Sequence, residues 1–467
     1  MPHTVAPALP RPTTLQWTGL ALGLIAFVGT LVADIPGLEP AAQRMLAIFL
    51  LAIVLWITEA IPLVATAVLV IALQILLLSE QALIPLAEAP LAARDLFATL
   101  ADPVLVLFLG GFMIATGAAR FDLDRNLAAV LLRPFVGDAR RLVLGVMAIT
   151  ALLSMFVSNT ATTATMFAVL IPVLGSLPEG RTRTGLALAI PVAANIGGIG
   201  TPVGSPPNAI ALGALSARGE AVSFVGWMLL AVPLMVVVLA AAWWVLTRRY
   251  IPADTPVTLD LTPRFQTTPA AWVFTTIAGA TIVLWLTEPL HGLASSTVGF
   301  LAVVALLATQ VLSGDDLRAL QWHVLWLVAG GIALGQGIGA TGLDGWILEL
   351  VAWDRLPTTG LVLLLVVTGL ALSTVISSSA AANLLIPLSL GLTAGVAADP
   401  TLLAIVVAIG CALAMALPIS TPPNAIAYAT GEVPTREMAT TGITIGVIGG
   451  GLLALAMPWL WTTLGLL

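Results

Sequence analysis

Charge is what this chain most lacks: Asp, Glu, Lys and Arg are 9% of its 467 residues against 59% apolar, and mean hydropathy is +1.09. Soluble globular domains carry roughly a quarter of their residues as charges. A soluble fold is therefore excluded, and an all-α polytopic membrane protein is expected. Cysteine is nearly absent too; the one copy, Cys411, lies mid-segment, which rules out a disulfide framework and reads as a small packing residue. The net charge of −6 is spread without basic or acidic runs, so nothing suggests a nucleic-acid partner. No Cys/His cluster exists, which disfavours soft transition metals. Neither an HExxH pattern nor paired intramembrane carboxylates are present, which disfavours a membrane-embedded enzyme, and no organic cofactor is expected.

Lysine is missing altogether, so all 17 cations are arginine and their placement sets the orientation. Leu15 to Val32 is long enough to span and lacks a small-x-small cleavage site, so it reads as a first membrane helix rather than a signal peptide. Threading the apolar segments with the N-terminus inside leaves only Arg44, Arg94, Arg218 and Arg355 outside, with the other 13 cytoplasmic. That follows the positive-inside rule and places the protein in a cell (inner or plasma) membrane, its C-terminus extracytoplasmic. Trp243, Trp244 and Trp326 read as interface anchors, His291 and His323 as solvated, and the repeated acids Glu59 and Glu288 as structural.

Two stretches are too long for one span. Leu142 to Pro178 holds 37 uncharged residues between arginine pairs, with Ser158-Asn159-Thr160 near its middle; 356–398 holds 43, with Ser377-Ser378-Ser379 near its middle. A span needs only about 20 residues, so each reads as a re-entrant hairpin with a polar tip. After each comes a Gly/Pro-broken helix ending in Ser205-Pro206-Pro207-Asn208 or Thr421-Pro422-Pro423-Asn424. Ser377 follows Ser158 by 219 residues, Asn424 follows Asn208 by 216, and Gly330-Gly331 follows Gly110-Gly111 by 220.

The expected organisation is an N-terminal tail and first helix (1–43), a first repeat (44–248; hairpin about 142–178, broken helix about 184–217), a cytoplasmic linker (249–268) and a second repeat (269–467; hairpin about 356–398, broken helix about 400–431). Five spans per repeat plus the first helix give about 11 transmembrane helices, and an odd number per repeat makes the repeats inverted.

No Asp, Glu, Lys, Arg or His occurs in Leu142 to Pro178, Thr184 to Ala217, 356–398 or Pro400 to Gly431. Whatever binds there meets hydroxyls, amides, carbonyls and helix ends. Carbonyl and hydroxyl oxygens suit a hard monovalent cation such as Na⁺, and helix N-termini suit a carboxylate or sulfate oxygen. A proton-coupled carrier is expected to show a titratable group at the site. Polar residues that merely glue helices together do not explain the recurrence. An exchanger of similar architecture and a channel are the rival readings.

The ordered set SNTAT, GTPVGSPPNAI and STPPNAI resembles the divalent anion/sodium symporter family. The resemblance implies an elevator-type symporter of a small divalent anion, homodimeric among membrane lipid, with Na⁺ co-transported. The expected anion is a C4-type dicarboxylate such as succinate, or else sulfate or an organosulfonate, with dicarboxylate exchange as an alternative. It also implies a first Na⁺ site at Ser154, Ser158, Asn159 and the backbone of Gly200, and a second at Ser373, Ser377, Ser378 and the backbone near Ser420. Substrate would meet Asn159 and Thr160 from one tip, Ser378 and Ser379 from the other, with Thr201, Pro202, Thr421 and Pro422 lining the pocket. One departure stands out: the family's second tip commonly carries Asn and Thr where Ser378 and Ser379 stand here, and Asn383 could compensate if its helix turns it inward.

Overall fold

The computed structural model describes residues 13–177, 180–252, 256–257, 263–350, 356–394, 396 and 398–466. Arg11, one of the 13 arginines expected on the cytoplasmic side, Pro178, Arg355 and residues 253–255 and 258–262 of the linker lie outside the described residues. A first helix, α1 (Thr14–Val32), precedes two series of helices in the same order. The first is α2 (Pro40–Thr58), α3 (Leu63–Leu78), α4 (Pro103–Arg120), α5 (Ala139–Phe156), α6 (Asn159–Ser176), α7 (Arg181–Gly198), α8 (Pro206–Ser216) and α9 (Phe224–Tyr250). The second is α10 (Pro269–Leu286), α11 (Ser295–Ala308), α12 (Trp322–Ala340), α13 (Thr358–Val375), α14 (Ser378–Gly391), α15 (Pro400–Ala412), α16 (Pro422–Ala429) and α17 (Thr435–Leu455). Shorter helices, the longest Leu123–Leu132, fill the connections, and a two-residue antiparallel ribbon joins β1 (Gly137–Asp138) to β2 (Pro256–Val257).

The protein is a multi-pass helical membrane protein. Nine helices among the described residues are long and apolar enough to span, two fewer than expected from the sequence. The nine include the hairpin arms α5 and α13 and omit α3 and α11, of 16 and 14 residues, and the interrupted pairs α7–α8 and α15–α16. Length and composition thus count hairpin arms as spans and miss helices that break midway.

The sequence explains both interruptions. At each hairpin tip the chain leaves one helix in extended conformation and re-enters helix within two residues, because a serine caps the return arm: Ser158 Oγ accepts from Ala161 N and Ser377 Oγ from Ala380 N, each at 3.2 Å. In the breaks, prolines occupy the first turn of α8 and of α16, where their missing N–H costs nothing. The residues before them, Ser205 and Thr421, are both extended at φ −147°. The asparagine after each proline pair then reaches back to hold the exposed carbonyls: Asn208 Nδ2 donates to Gly198 O (2.9 Å) and Thr201 O (2.8 Å), Asn424 Nδ2 to Met415 O (2.7 Å) and Leu417 O (3.1 Å).

Packing interleaves the two series. A Cβ on Gly110 of α4 would lie 2.6 Å from the Gly299 Cα of α11, and one on Gly330 of α12 would lie 2.7 Å from the Ala67 Cα of α3. The helices cross backbone on backbone only because glycine stands at both corresponding positions. Likewise α8 packs on α12, α14 and α15, while α16 packs on α6 and α7. At the end of α4, Arg120 pairs at 2.5 Å with Asp316, just ahead of α12, so one helix starts where its counterpart ends. Helix α1 stands apart, only 11% of its span being buried, with Gly19 and Gly23 against α2.

Some side chains match expectation and others do not. Trp244 and Trp326 are exposed as anchors should be, but Trp56, Trp227, Trp285 and Trp461 are fully buried core residues. Glu288 accepts from Phe224 N at 2.8 Å, tying the second series to the start of α9. His291 is not simply solvated: its Nδ1 accepts from Leu293 N at 3.0 Å, and Nε2 lies 2.9 Å from Leu284 O.

Candidate functional site

The two tips and the two breaks meet at one cavity of about 400 Å³. Its polar lining is Ser158, Asn159 and Thr160 from the start of α6, Ser377, Ser378 and Ser379 from the start of α14, Ser205 before α8, Ser420 and Thr421 before α16, and Asn195, Gln321 and His323. Phe108, Phe112, Leu63, Val324 and Leu327 line its apolar part. Four helix N-termini therefore face one space. Each carries roughly half a positive charge, so together they offer on the order of two units to a dianion without a lysine or arginine.

Ser154 and Asn159 meet behind the first tip. The Ser154 hydroxyl is fully buried, donates to Ala194 O at 2.9 Å and touches the Asn159 amide. In one amide orientation, Asn159 Oδ1 joins Ser154 Oγ and the carbonyls of Ala194 and Gly204 in a group of four oxygens. In the other, Nδ2 donates to Gly204 O at 2.9 Å and Ala194 O at 3.3 Å. The second orientation pairs both amide atoms, and a cation among these oxygens would favour the first. This chemistry fits a small hard ion. Gly200 is buried in the break and gives its N–H to Gly197 O at 2.9 Å.

The second tip is built differently. Ser378 N donates to Ser420 O at 3.2 Å, docking the tip on its own break, and Ser420 Oγ donates to Thr374 O at 3.2 Å. Ser373 is fully buried beside Cys411 and makes no hydrogen bond to oxygen or nitrogen. Asn383 does not compensate for the missing amide: it is buried against α12, with Nδ2 donating to Leu327 O at 3.1 Å.

Of the sequence-predicted residues, Ser158, Asn159, Thr160, Ser377, Ser378, Ser379, Ser420, Thr421 and Pro422 come together on the cavity. Ser154, Ser373 and Gly200 lie behind it. Thr201 and Pro202 are not on its wall: Thr201 is fully buried, its hydroxyl given to Met155 O. The wall position matching Thr421 is Ser205, since both precede the proline pair and both cap a half-helix in extended conformation. Thr201 instead matches Ser420, each donating to a carbonyl of the hairpin arm. The spacing could have shown this, because Ser205 lies 216 residues before Thr421, the interval between the two asparagines.

Asn195, Gln321, Phe108 and Phe112 escaped sequence reading, and His323, read as solvated, was not placed at the site. His323 is exposed and lines the cavity, so the four uncharged stretches do not make the site free of titratable groups. No motif marks it; α12 simply starts at the cavity mouth.

The citrate transporter family profile (CitMHS) matches residues 53–410. The sodium-dependent dicarboxylate transporter SdcS of Staphylococcus saprophyticus is 30% identical, covering 93% of this chain and 89% of the relative. Its Staphylococcus aureus (strain MRSA252) namesake is 29% identical over 96% and 92%. Among solved structures, the Alcanivorax borkumensis YdaH transporter shares the fold with a TM-score of 0.58 at 17% identity, covering 91% of this chain and 98% of that one. Neisseria gonorrhoeae MtrF does so at 0.54 and 15%, covering 96% of each. The chain is a membrane transport protein, not an enzyme, and belongs to the citrate transporter family, among the divalent anion/sodium symporters that its tip motifs resemble.

Proposed function

We propose that this protein is a Na⁺-coupled symporter of a small divalent anion, with a C4-type dicarboxylate such as succinate as substrate. The observation that carries the reading is the convergence of four helix N-termini and two uncharged polar tips on one cavity. Two tips set apart can each hold one carboxylate, and the oxygen group at Ser154 and Asn159 can hold the cation whose charge offsets the anion. Relatives named sodium-dependent dicarboxylate transporters support it. On this reading, Ser158 and the Gly200 backbone complete the first Na⁺ site, and Ser373, Ser377, Ser378 and the Ser420 backbone form the second.

The two helix series, 44–248 and 269–467, act as inverted repeats. The Arg120–Asp316 pair supports this, since it sets corresponding helices antiparallel. Hairpins and broken helices move together as an elevator against the remaining helices, within a homodimer in the inner or plasma membrane, the N-terminus cytoplasmic. The test is uptake of labelled succinate into proteoliposomes under a Na⁺ gradient, with and without anion on the far side. Concentrative uptake that needs Na⁺ but no counter-anion is expected; uptake that requires far-side anion and ignores Na⁺ reassigns the protein as an exchanger.

His323 favours a second reading, proton coupling, because it is the titratable side chain on the cavity wall. Accumulation driven by a pH gradient alone, and lost in His323→Gln, would establish it.

A further inference from the structure

The two break asparagines hold corresponding carbonyls, yet they are not equally partnered. Asn208 Oδ1 is buried without a hydrogen bond. Asn424 Oδ1 accepts from Asn195 Nδ2 at 3.1 Å. Asn195 belongs to α7 of the first series and has no counterpart: 216 and 219 residues further on stand Cys411 and Ala414. The asymmetry therefore comes from one amide that only the first series supplies.

That amide is held in a fixed orientation. Because Asn424 Nδ2 faces two carbonyls, its oxygen must face Asn195, which must in turn present nitrogen. One N–H of Asn195 is thereby used, while its second N–H and its carbonyl oxygen have no partner among the described residues. Asn195 is 2% exposed and lies on the cavity wall. Its nitrogen already donates to Asn424, and a carboxylate in the cavity would take up the second N–H in a charge-assisted hydrogen bond. The second tip, meanwhile, has serine hydroxyls where an amide is absent.

We propose that Asn195 contacts the second carboxylate of the substrate, in place of an amide at the second tip, and so sets the preference for a two-ended anion over a compact one. This rests on the reading of the protein as a Na⁺-coupled dicarboxylate transporter. The amide is positioned by Asn424, so the substrate would engage a donor whose orientation is already fixed, and no side chain need reorganise on binding.

The experiment measures Na⁺-dependent uptake of succinate and of sulfate by wild type, Asn195→Ser, Ser378→Asn and the double variant, with melting temperature and Na⁺ dependence recorded for each. Asn195→Ser should raise the half-saturating succinate concentration about tenfold, as expected for a lost hydrogen bond to a charged group. Sulfate should change by less than about threefold, and the Na⁺ dependence not at all. Adding Ser378→Asn should recover most of the succinate loss. A variant that loses both anions equally, or neither, overturns the proposal, since a merely structural role does not distinguish them. If Asn195→Ser does not give a monodisperse protein, Asn195→Gln is measured instead: it keeps an amide but pushes it into the cavity, and an unchanged succinate-to-sulfate ratio overturns the proposal. A wild type without Na⁺-dependent uptake of succinate overturns the underlying reading, and this inference with it, whereas intact wild-type uptake with an indifferent Asn195 overturns this inference alone.

Discussion

Asn159 touches both halves of the proposed chemistry, its amide against Ser154 on one side and the cavity on the other. Asn159→Ala is therefore expected to abolish succinate uptake while the protein stays monodisperse, as size-exclusion chromatography of the reconstituted sample would report; wild-type uptake would remove Asn159 from the site. The break asparagines allow a finer comparison. Asn208→Ala frees two carbonyls but also removes an oxygen that had no partner, whereas Asn424→Ala frees two carbonyls and strands the N–H of Asn195. A buried polar group left unsatisfied costs about 1–3 kcal/mol, so Asn424→Ala should lower the melting temperature more than Asn208→Ala. The reverse order in a thermal-shift series would mean that the Asn195 bridge contributes nothing to stability.

At the level of helices, the crossings of α4 on α11 and of α12 on α3 depend on glycine. Gly110→Ala places a methyl group 2.6 Å from a backbone atom that cannot rotate away. Overpacking of that kind costs about 1–3 kcal/mol. Gly451→Ala in α17, where nothing lies within 4 Å, removes a helix-weakening glycine and should be neutral or slightly stabilising. Equal melting temperatures for the two variants would show that α4 and α11 can slide apart freely. Much at this scale was legible in the sequence: the hairpins from overlong uncharged stretches, and the breaks from paired prolines. A count by length and composition does not test the expected 11 spans, because it takes the hairpin arms as spans and leaves out α3, α11 and the interrupted pairs.

For the whole molecule, replacing Na⁺ by K⁺ or choline should eliminate concentrative uptake, since the proposed cation site at Ser154 and Asn159 offers uncharged oxygens, which suit a small hard cation. The proposed alternating access gives a further expected outcome. The native thiol, Cys411, is fully buried, so a cysteine placed at Thr160 reports cavity access almost alone. A membrane-impermeant maleimide should label Thr160→Cys, and Na⁺ with succinate together should slow the labelling several-fold. Labelling that ignores both would mean that the tip does not line the substrate path.

The sequence by itself determined the membrane environment, the recurrence of hairpin and broken helix, and the tip residues Ser158, Asn159, Thr160, Ser377, Ser378 and Ser379. Each rests on local properties: hydropathy, the length of an uncharged run, proline's missing N–H and the capping habit of serine. Only the tertiary structure decided which break residues reach the wall. Thr201 and Ser205 are four residues apart in one polar motif, and the turn between them sends one hydroxyl to Met155 O and the other to the cavity. Only the tertiary structure brought in Asn195 of α7, Phe108 and Phe112 of α4, and Gln321 and His323 at the start of α12, which carry no motif and are far apart in the chain. Their role depends on how α4, α7 and α12 pack across the two series, and no short-range pattern encodes that.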